Sequence, residues 1–234
     1  MKIAKMEVTL VDKMGSDLSV VNAARVSFHK KSHWEYTETD PTHGGKTFDD
    51  AHLSGADQKL IKYLAKHGHW SPFAHAFVSL RIKAPIFVAR QLVKHQVGLS
   101  WNEVSRRYVD DEPEFFIPIE WRGKPENSKQ GSSGVIKLPD ENDDYYVEST
   151  LNASFNLYEY LLNVGVAPEQ ARMVLPQNTM TEWIWSGSLM AFARVCKQRL
   201  DPHAQQETQE VAMKIAAIIE PLFPVSWMEL CIQS

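Results

Sequence analysis

Cysteine is nearly absent, with Cys196 and Cys231 the only two in 234 residues. Two thiols cannot build a disulfide framework or a four-cysteine zinc site. Neither has the setting of a nucleophile. Cys196 sits in RVCKQR without a histidine within several residues, and Cys231 lies three residues from the end of the chain. Lys197 could lower the Cys196 thiol, but a buried core residue is the better reading. Long apolar runs are missing too. No segment approaches the roughly 20 residues of a membrane span, and MKIAKMEVTLVDKMGSD lacks a signal peptide's apolar core. The expectation is a soluble, cytoplasmic protein. Internal repeats are absent, as is surplus positive charge: the chain carries −4 at neutral pH. A broad basic surface for a long polyanion is therefore not expected.

What is present suffices for a core, since 44% of residues are hydrophobic. Met6–Val11 has the β-branched character of a strand, and Leu18–Val26 carries helical spacing. Residues 29–55 read as loop. Ala56–Lys66 reads as a helix stopped by Gly68. Ala76–Ile82 alternates as a half-buried strand. Ala84-Pro85 opens a helix through IFVARQLVKH that Gly98 ends, and Ser100-x-x-Glu103 fits a capping box for a following turn. Asp110–Asp144 dissolves into prolines, KQGSSG and DENDD, a long excursion with a mobile centre. Tyr145–Val164 is a helix, and Pro168 starts another that breaks before Pro176. Thr179–Trp185 alternates as a strand. Gly187-Ser188 caps a helix through Arg199, and Asp201-Pro202 restarts one to about Phe223. Without regular βαβ spacing, this order favours α+β, in a single domain over 1–234 with a variable excursion at 109–150.

The densest chemistry lies in Arg90–Tyr108, RQLVKHQVGLSWNEVSRRY. Between Leu80 and Tyr108 six Lys/Arg meet one acid, Glu103. A solvated helix usually mixes its charges. Here the donors gather around Gly98, where a chain can bend and expose backbone N–H groups. A small multi-acceptor anion such as a nucleotide phosphate suits this cluster. A basic surface helix is the alternative. A second cluster holds Arg194, Lys197, Arg199, Asp201, His203 and Gln205. Arg194 and Arg199 are five apart and do not share one helical face. The alternative there is a basic helix C-terminus favoured by the macrodipole.

Other motifs carry less. His67, His69 and His75, with Asp49 and Asp50, invite a metal reading, but no carboxylate falls at ligand spacing among the histidines. No metal is expected. Gly44-Gly45-Lys46-Thr47 ends like a phosphate-binding loop, yet Asp40 stands where the first glycine belongs. Asn152-Ala-Ser is a glycosylation triplet inside a helix and carries no meaning here.

Together these blocks resemble a family. Lys94-His95-Gln96, eight residues, then Ser105 is similar to the Arg-His-Arg, seven or eight residues, Ser signature of flavin-dependent thymidylate synthases. NEVSRRY (102–108) is similar to that family's Asn-Glu-x-Ser-x-Arg-Tyr. DLSVVNAARVSF (17–28), KHGHWSPFAH (66–75), KAPIFVARQ (83–91), ARMVLP (171–176) and RLDPHAQ (199–205) follow in the family's order.

The resemblance implies an α+β subunit with a mainly antiparallel sheet, assembled as a homotetramer with active sites at subunit interfaces. It implies FAD, NADPH and methylenetetrahydrofolate, with dUMP converted to dTMP in de novo dTMP biosynthesis and no cysteine nucleophile. Nucleic acid and membrane are not partners. The substrate residues it implies are Gln91, Leu92, Val93, Lys94, Glu103, Val104, Ser105, Arg106, Arg107, Arg172 and Arg199. The flavin residues are Ser71, Lys94, His95, Gln96, Glu103, Ser188, Leu189, Met190 and Arg194. Arg199 is implied as the catalytic residue that stabilises negative charge on the uracil, and His69 lies close to the flavin. Lys94 and Gln96 stand where the family carries arginines, the spacer holds eight residues where many members have seven, and lysine lacks arginine's planar fork. Ser188, Met190 and Arg194 also differ from the Asn- and Arg-bearing pattern.

Two readings from other classes remain: a nucleotide- or RNA-binding module without chemistry, and a metal-dependent nucleotide hydrolase. The first predicts a colourless protein whose binding weakens steeply with salt. The second predicts sensitivity to chelators. A yellow protein would eliminate both.

Overall fold

A computed structural model of the chain describes residues 1–36, 51–126, 131–140 and 142–232. Asp40, Gly44 to Thr47, Asp49 and Asp50 lie outside the described residues. In chain order the elements are β1 (Lys2–Ile3), β2 (Glu7–Met14), α1 (Asp17–Arg25), β3 (Glu35–Tyr36), β4 (Ala51–His52), α2 (Gly55–Lys66), β5 (Phe77–Pro85), α3 (Ile86–Leu92) and β6 (Leu99–Glu103). There follow β7 (Glu114–Phe115), β8 (Trp121–Arg122), β9 (Val135–Ile136), α4 (Asp143–Asn163), α5 (Pro168–Ala171), β10 (Met180–Ser188), α6 (Leu189–Arg199), α7 (Gln206–Ile219) and α8 (Pro224–Trp227). Short 3₁₀ turns link several of them.

The central sheet has the order β2-β5-β10-β6, every pair antiparallel. β5 and β10 alternate because one face is buried: Val78, Leu80, Ile82, Trp183 and Trp185 point into the core. Each such side chain contributes roughly 1.5–3 kcal/mol by leaving water. α6 and α7 cover this face and pack on each other. Phe115, Leu151 and Phe155 form a second, smaller cluster. The fold is thus mixed helix and sheet, in line with the α+β reading.

Local rules explain most boundaries. α2 ends where Gly68 takes φ +67°, a left-handed conformation that suits glycine. α6 starts at Ser188, whose Oγ accepts from Ala191 N–H at 3.2 Å. Asp17 is 3% exposed, and its carboxylate accepts from the N–H groups of Val225 and Ser226, both at 2.9 Å. It therefore joins α1 to α8.

Four expectations are corrected. α3 stops at Leu92, six residues before Gly98. Ser100 and Glu103 form no capping box: they lie on the edge strand β6, paired with β10 over Leu99–Glu103. Its driving force is Trp101, whose ring stacks on Trp183 with centroids 4.2 Å apart. The last long helix starts at Gln206, because 201–204 form a turn closed by Ala204 N–H on the Asp201 carbonyl. Within 110–144 the described residues include β7, paired with β1, and the β8–β9 ladder.

Candidate active site

Two glycines bring the key segments together. β6 and β10 meet so closely at Gly98 and Gly187 that a Cβ on Gly187 would lie 2.5 Å from the Gly98 carbonyl oxygen. Gly98 itself has φ +77°. Ser188 N–H donates to that carbonyl at 3.2 Å. This junction lays the chain from Gln91 to Val97 alongside α6. Arg194 and Arg199 do not share a helical face, yet both reach this segment. Arg194 Nη2 donates to Val97 O at 2.8 Å. Arg199 Nε donates to His95 Nε2 at 2.9 Å, and its Nη2 to Gln91 O at 3.3 Å.

These bonds fix protonation. A guanidinium only donates, so His95 Nε2 must carry a lone pair and the imidazole is neutral, with its proton on Nδ1. Burial, then the charges of Arg199 and Arg194, lowers the His95 pKa in the same sense. Burial also lowers the Arg199 pKa, but a guanidinium remains charged in proteins. Among the described residues neither Arg194 nor Arg199 forms a salt bridge. Asp201 instead binds His203, accepting its backbone N–H at 2.7 Å with the ring Nδ1 at 2.9 Å.

Arg199 and Gln91 line a cavity of about 520 Å³ with Asp201, His203 and Gln205. The Gln91 side chain donates to Gln205 Oε1 and accepts from the Thr208 hydroxyl at 3.3 Å. Thr208 and Glu207 escaped the sequence reading. The signal available was an acid in the first turn of α7, a common helix feature.

The remaining residues fall elsewhere. Glu103, Val104, Arg106 and Arg172 line a separate cavity of about 400 Å³ that shares no lining residue with the first. Glu103 is held there by Thr181 Oγ1 at 2.7 Å and Trp101 Nε1 at 3.1 Å. Arg106 donates to the Asp111 carbonyl at 2.9 Å, and Arg107 Nε to Ser105 Oγ at 3.1 Å. Arg172 is exposed, with Nε on Glu169 O at 3.3 Å. Lys94 and Gln96 are exposed, and Val93 and Met190 are half-buried.

The side chains of Leu92 and Leu189 are fully buried in the core, so only their backbones could meet a ligand. Ser188 spends its hydroxyl on the α6 cap. Ser71 is exposed, in a turn over Ser71–His75 that packs on α1 and α6, where Leu189 N–H bonds Ala76 O at 2.8 Å. His67 and His69 contact the Tyr63 ring. Among the described residues no group of His, Cys, Asp and Glu could hold a metal ion, and no helix is long and apolar enough to cross a membrane.

Residues 9–225 match the family described as thymidylate synthase complementing protein. The flavin-dependent thymidylate synthase of Thermosipho africanus is 38% identical over 219 residues, covering 92% of this chain and 86% of that one. The chain belongs to the flavin-dependent thymidylate synthase family. The family member from Kosmotoga olearia is 37% identical over 226 residues, covering 94% of this chain and 87% of its own. Among solved structures, the UMP/dUMP methylase PolB from Streptomyces cacaoi, bound with 5-Br dUMP, is similar with a TM-score of 0.77. It is 28% identical, and the match covers 98% of this chain and 96% of that one. The donor set fits what a flavin-dependent thymidylate synthase must hold. Lys94, Arg194 and Arg199 are cations without a carboxylate partner among the described residues, and exposed Gln96 adds a neutral donor. Such groups suit the phosphates of a dinucleotide and a nucleotide.

Proposed function

We infer that this chain makes dTMP from dUMP, taking the new carbon from methylenetetrahydrofolate and using NADPH as reductant with bound FAD. FAD supplies hydride transfer when bound. Ser71, Lys94, His95, Gln96, Glu103, Arg194 and the Ser188–Met190 backbone would hold it. Gln91, Lys94, Glu103, Val104, Ser105, Arg106, Arg107, Arg172 and Arg199 would hold dUMP, with Leu92 and Val93 contributing backbone.

The observation that carries this reading is the Arg199 guanidinium, fixed by a neutral imidazole and a carbonyl at a cavity wall and without a carboxylate partner among the described residues. Neither thiol serves as nucleophile. Cys196 is fully buried, and burial pushes its thiol far above the ordinary range. Burial raises Cys231 to about 12, against a small opposing effect of Lys197. Ser105 has no base beside it, and its hydroxyl oxygen accepts from the Arg107 guanidinium. Carbon 5 of the uracil must then become nucleophilic by charge gathering at N3 and its flanking carbonyl. A pre-oriented guanidinium stabilises that charge as it develops.

The proposed working unit is a homotetramer with sites at subunit interfaces. In support, the two cavities share no lining residue within one chain, so residues assigned to one nucleotide sit apart. A cytoplasmic location suits the two free cysteines. The test is to incubate the purified protein with dUMP, methylenetetrahydrofolate and NADPH. Formation of dTMP by a yellow oligomer is expected. A flavin-loaded protein that makes no dTMP would refute the reading, and full flavin occupancy at monomer mass would refute the shared site.

A further inference from the structure

Arg122, on β8 in the excursion, reaches the Arg199 cavity through a buried acid. Its Nη2 donates to Glu207 Oε1 at 2.6 Å and its Nε to Ser132 Oγ at 3.0 Å. Glu207 is only 6% exposed. Burial alone would raise its carboxyl, but hydrogen bonds from Arg122 and Gln205 outweigh that and hold it below the ordinary carboxylate range. Nearby, Gly131 packs on the His203 backbone, with a Cβ there falling 3.5 Å from the His203 carbonyl oxygen.

An ionised carboxylate can only accept. Gln205 must therefore turn Nε2 toward Glu207 Oε2, at 2.9 Å. Its Oε1 is left facing Gln91, which must answer with its own Nε2. The Oε1 of Gln91 then receives the Thr208 hydroxyl. Amide oxygen and nitrogen are nearly the same size, so sterics alone would not choose between these orientations. One negative charge chooses for both amides in series. A protonated Glu207 would gain a donor, and both glutamines could invert. Arg122 opposes that protonation by pairing with the carboxylate.

We propose that Arg122 and Glu207 are positioning residues: the ion pair fixes the donor–acceptor polarity of Gln91 at the Arg199 cavity and so sets affinity for the pyrimidine nucleotide. This rests on the dUMP reading above. The same Gln91 also holds Arg199 through its carbonyl, so one residue carries both the polarity and the guanidinium.

Glu207→Gln, Arg122→Gln and Arg122→Lys in the flavin-loaded full chain test this. Calorimetry gives Kd for dUMP and dCMP, and assays give KM and kcat. The two glutamine variants should bind dUMP about tenfold more weakly, the scale of one lost hydrogen bond. They should discriminate less against dCMP and keep wild-type flavin content. Arg122→Lys, which keeps the charge, should recover most of the affinity. A folded Glu207→Gln protein with wild-type dUMP affinity would overturn the proposal. So would equal loss of dUMP and flavin, the mark of a merely structural pair. Should Glu207→Gln not fold, the partly exposed Arg122→Gln decides by the same criteria. If the wild type binds dUMP but makes no dTMP, the proposed reaction fails while the binding comparison still reads the relay.

Discussion

Arg199 Nε donates to His95 Nε2 at 2.9 Å across 104 positions of sequence. The bond joins the end of α6 to the basic segment after α3, the two donor-rich clusters of the chain. Arg199→Ala should therefore do more than remove a charge. Turnover to dTMP should fall about 100-fold or more, the scale for one preorganised donor aimed at developing charge. Flavin content should stay near wild type. Near-wild-type turnover in the variant would make this arginine structural.

The same bond predicts a pH dependence. Burial and the neighbouring guanidinium charges lower the native His95 pKa below its ordinary 6.5. The folded state then binds fewer protons than the unfolded state, so stability rises with pH across that window and is fully present above about 6.5. Acidification removes the Nε2 acceptor and adds a cation beside two others. The acid limb of kcat/KM for dUMP should flatten in His95→Asn. If the variant keeps the wild-type acid limb, that limb belongs to another group.

The thiols give a negative control. With Cys196 fully buried and Cys231 raised to about 12, the native protein should resist alkylation at neutral pH. Cys196→Ala with Cys231→Ala should still form dTMP while losing roughly 1 kcal/mol per site of stability. Abolished turnover in a folded, flavin-loaded double variant would contradict thiol-free chemistry.

Gly187→Ala tests the glycine junction. The added Cβ would meet the Gly98 carbonyl oxygen and Leu99 Cδ2, each at 2.5 Å. Backbone has to move, at a cost of roughly 1–3 kcal/mol. A lowered Tm with weakened flavin binding is expected. An unchanged melt would show that β6 and β10 separate freely.

The elements legible in sequence were those whose signal is local. β5 and β10 announce themselves by alternation, α2 by Gly68, and α6 by Ser188. The strand β6 was hidden because LSWNE looks like a polar turn until Trp101 finds Trp183, 82 residues away. The end of α3 was hidden for a related reason: residues after Leu92 leave the helix to lie along α6. At the site, the spacing of Arg194 and Arg199 revealed different helical faces but not their common contact with 91–97. Asp201 stands two residues from Arg199 in the same cluster, yet its carboxylate turns to His203, two residues further on. Arg122 and Glu207 could not be paired from sequence, since nothing local in either marks the other.

Asp17 carries a consequence for synthesis. Its buried carboxylate receives the N–H groups of Val225 and Ser226, which leave the ribosome some two hundred residues later. At roughly 5–20 residues per second, α1 therefore waits many seconds with a carboxyl side chain that lacks its eventual donors. Packing of α1 on α2 and on the Ser71–His75 turn can come first, but its junction with α8 cannot close until those donors arrive. Docking of α1 on α8 is consequently a late event, timed by the emergence of residue 226 and not by formation of the helix itself.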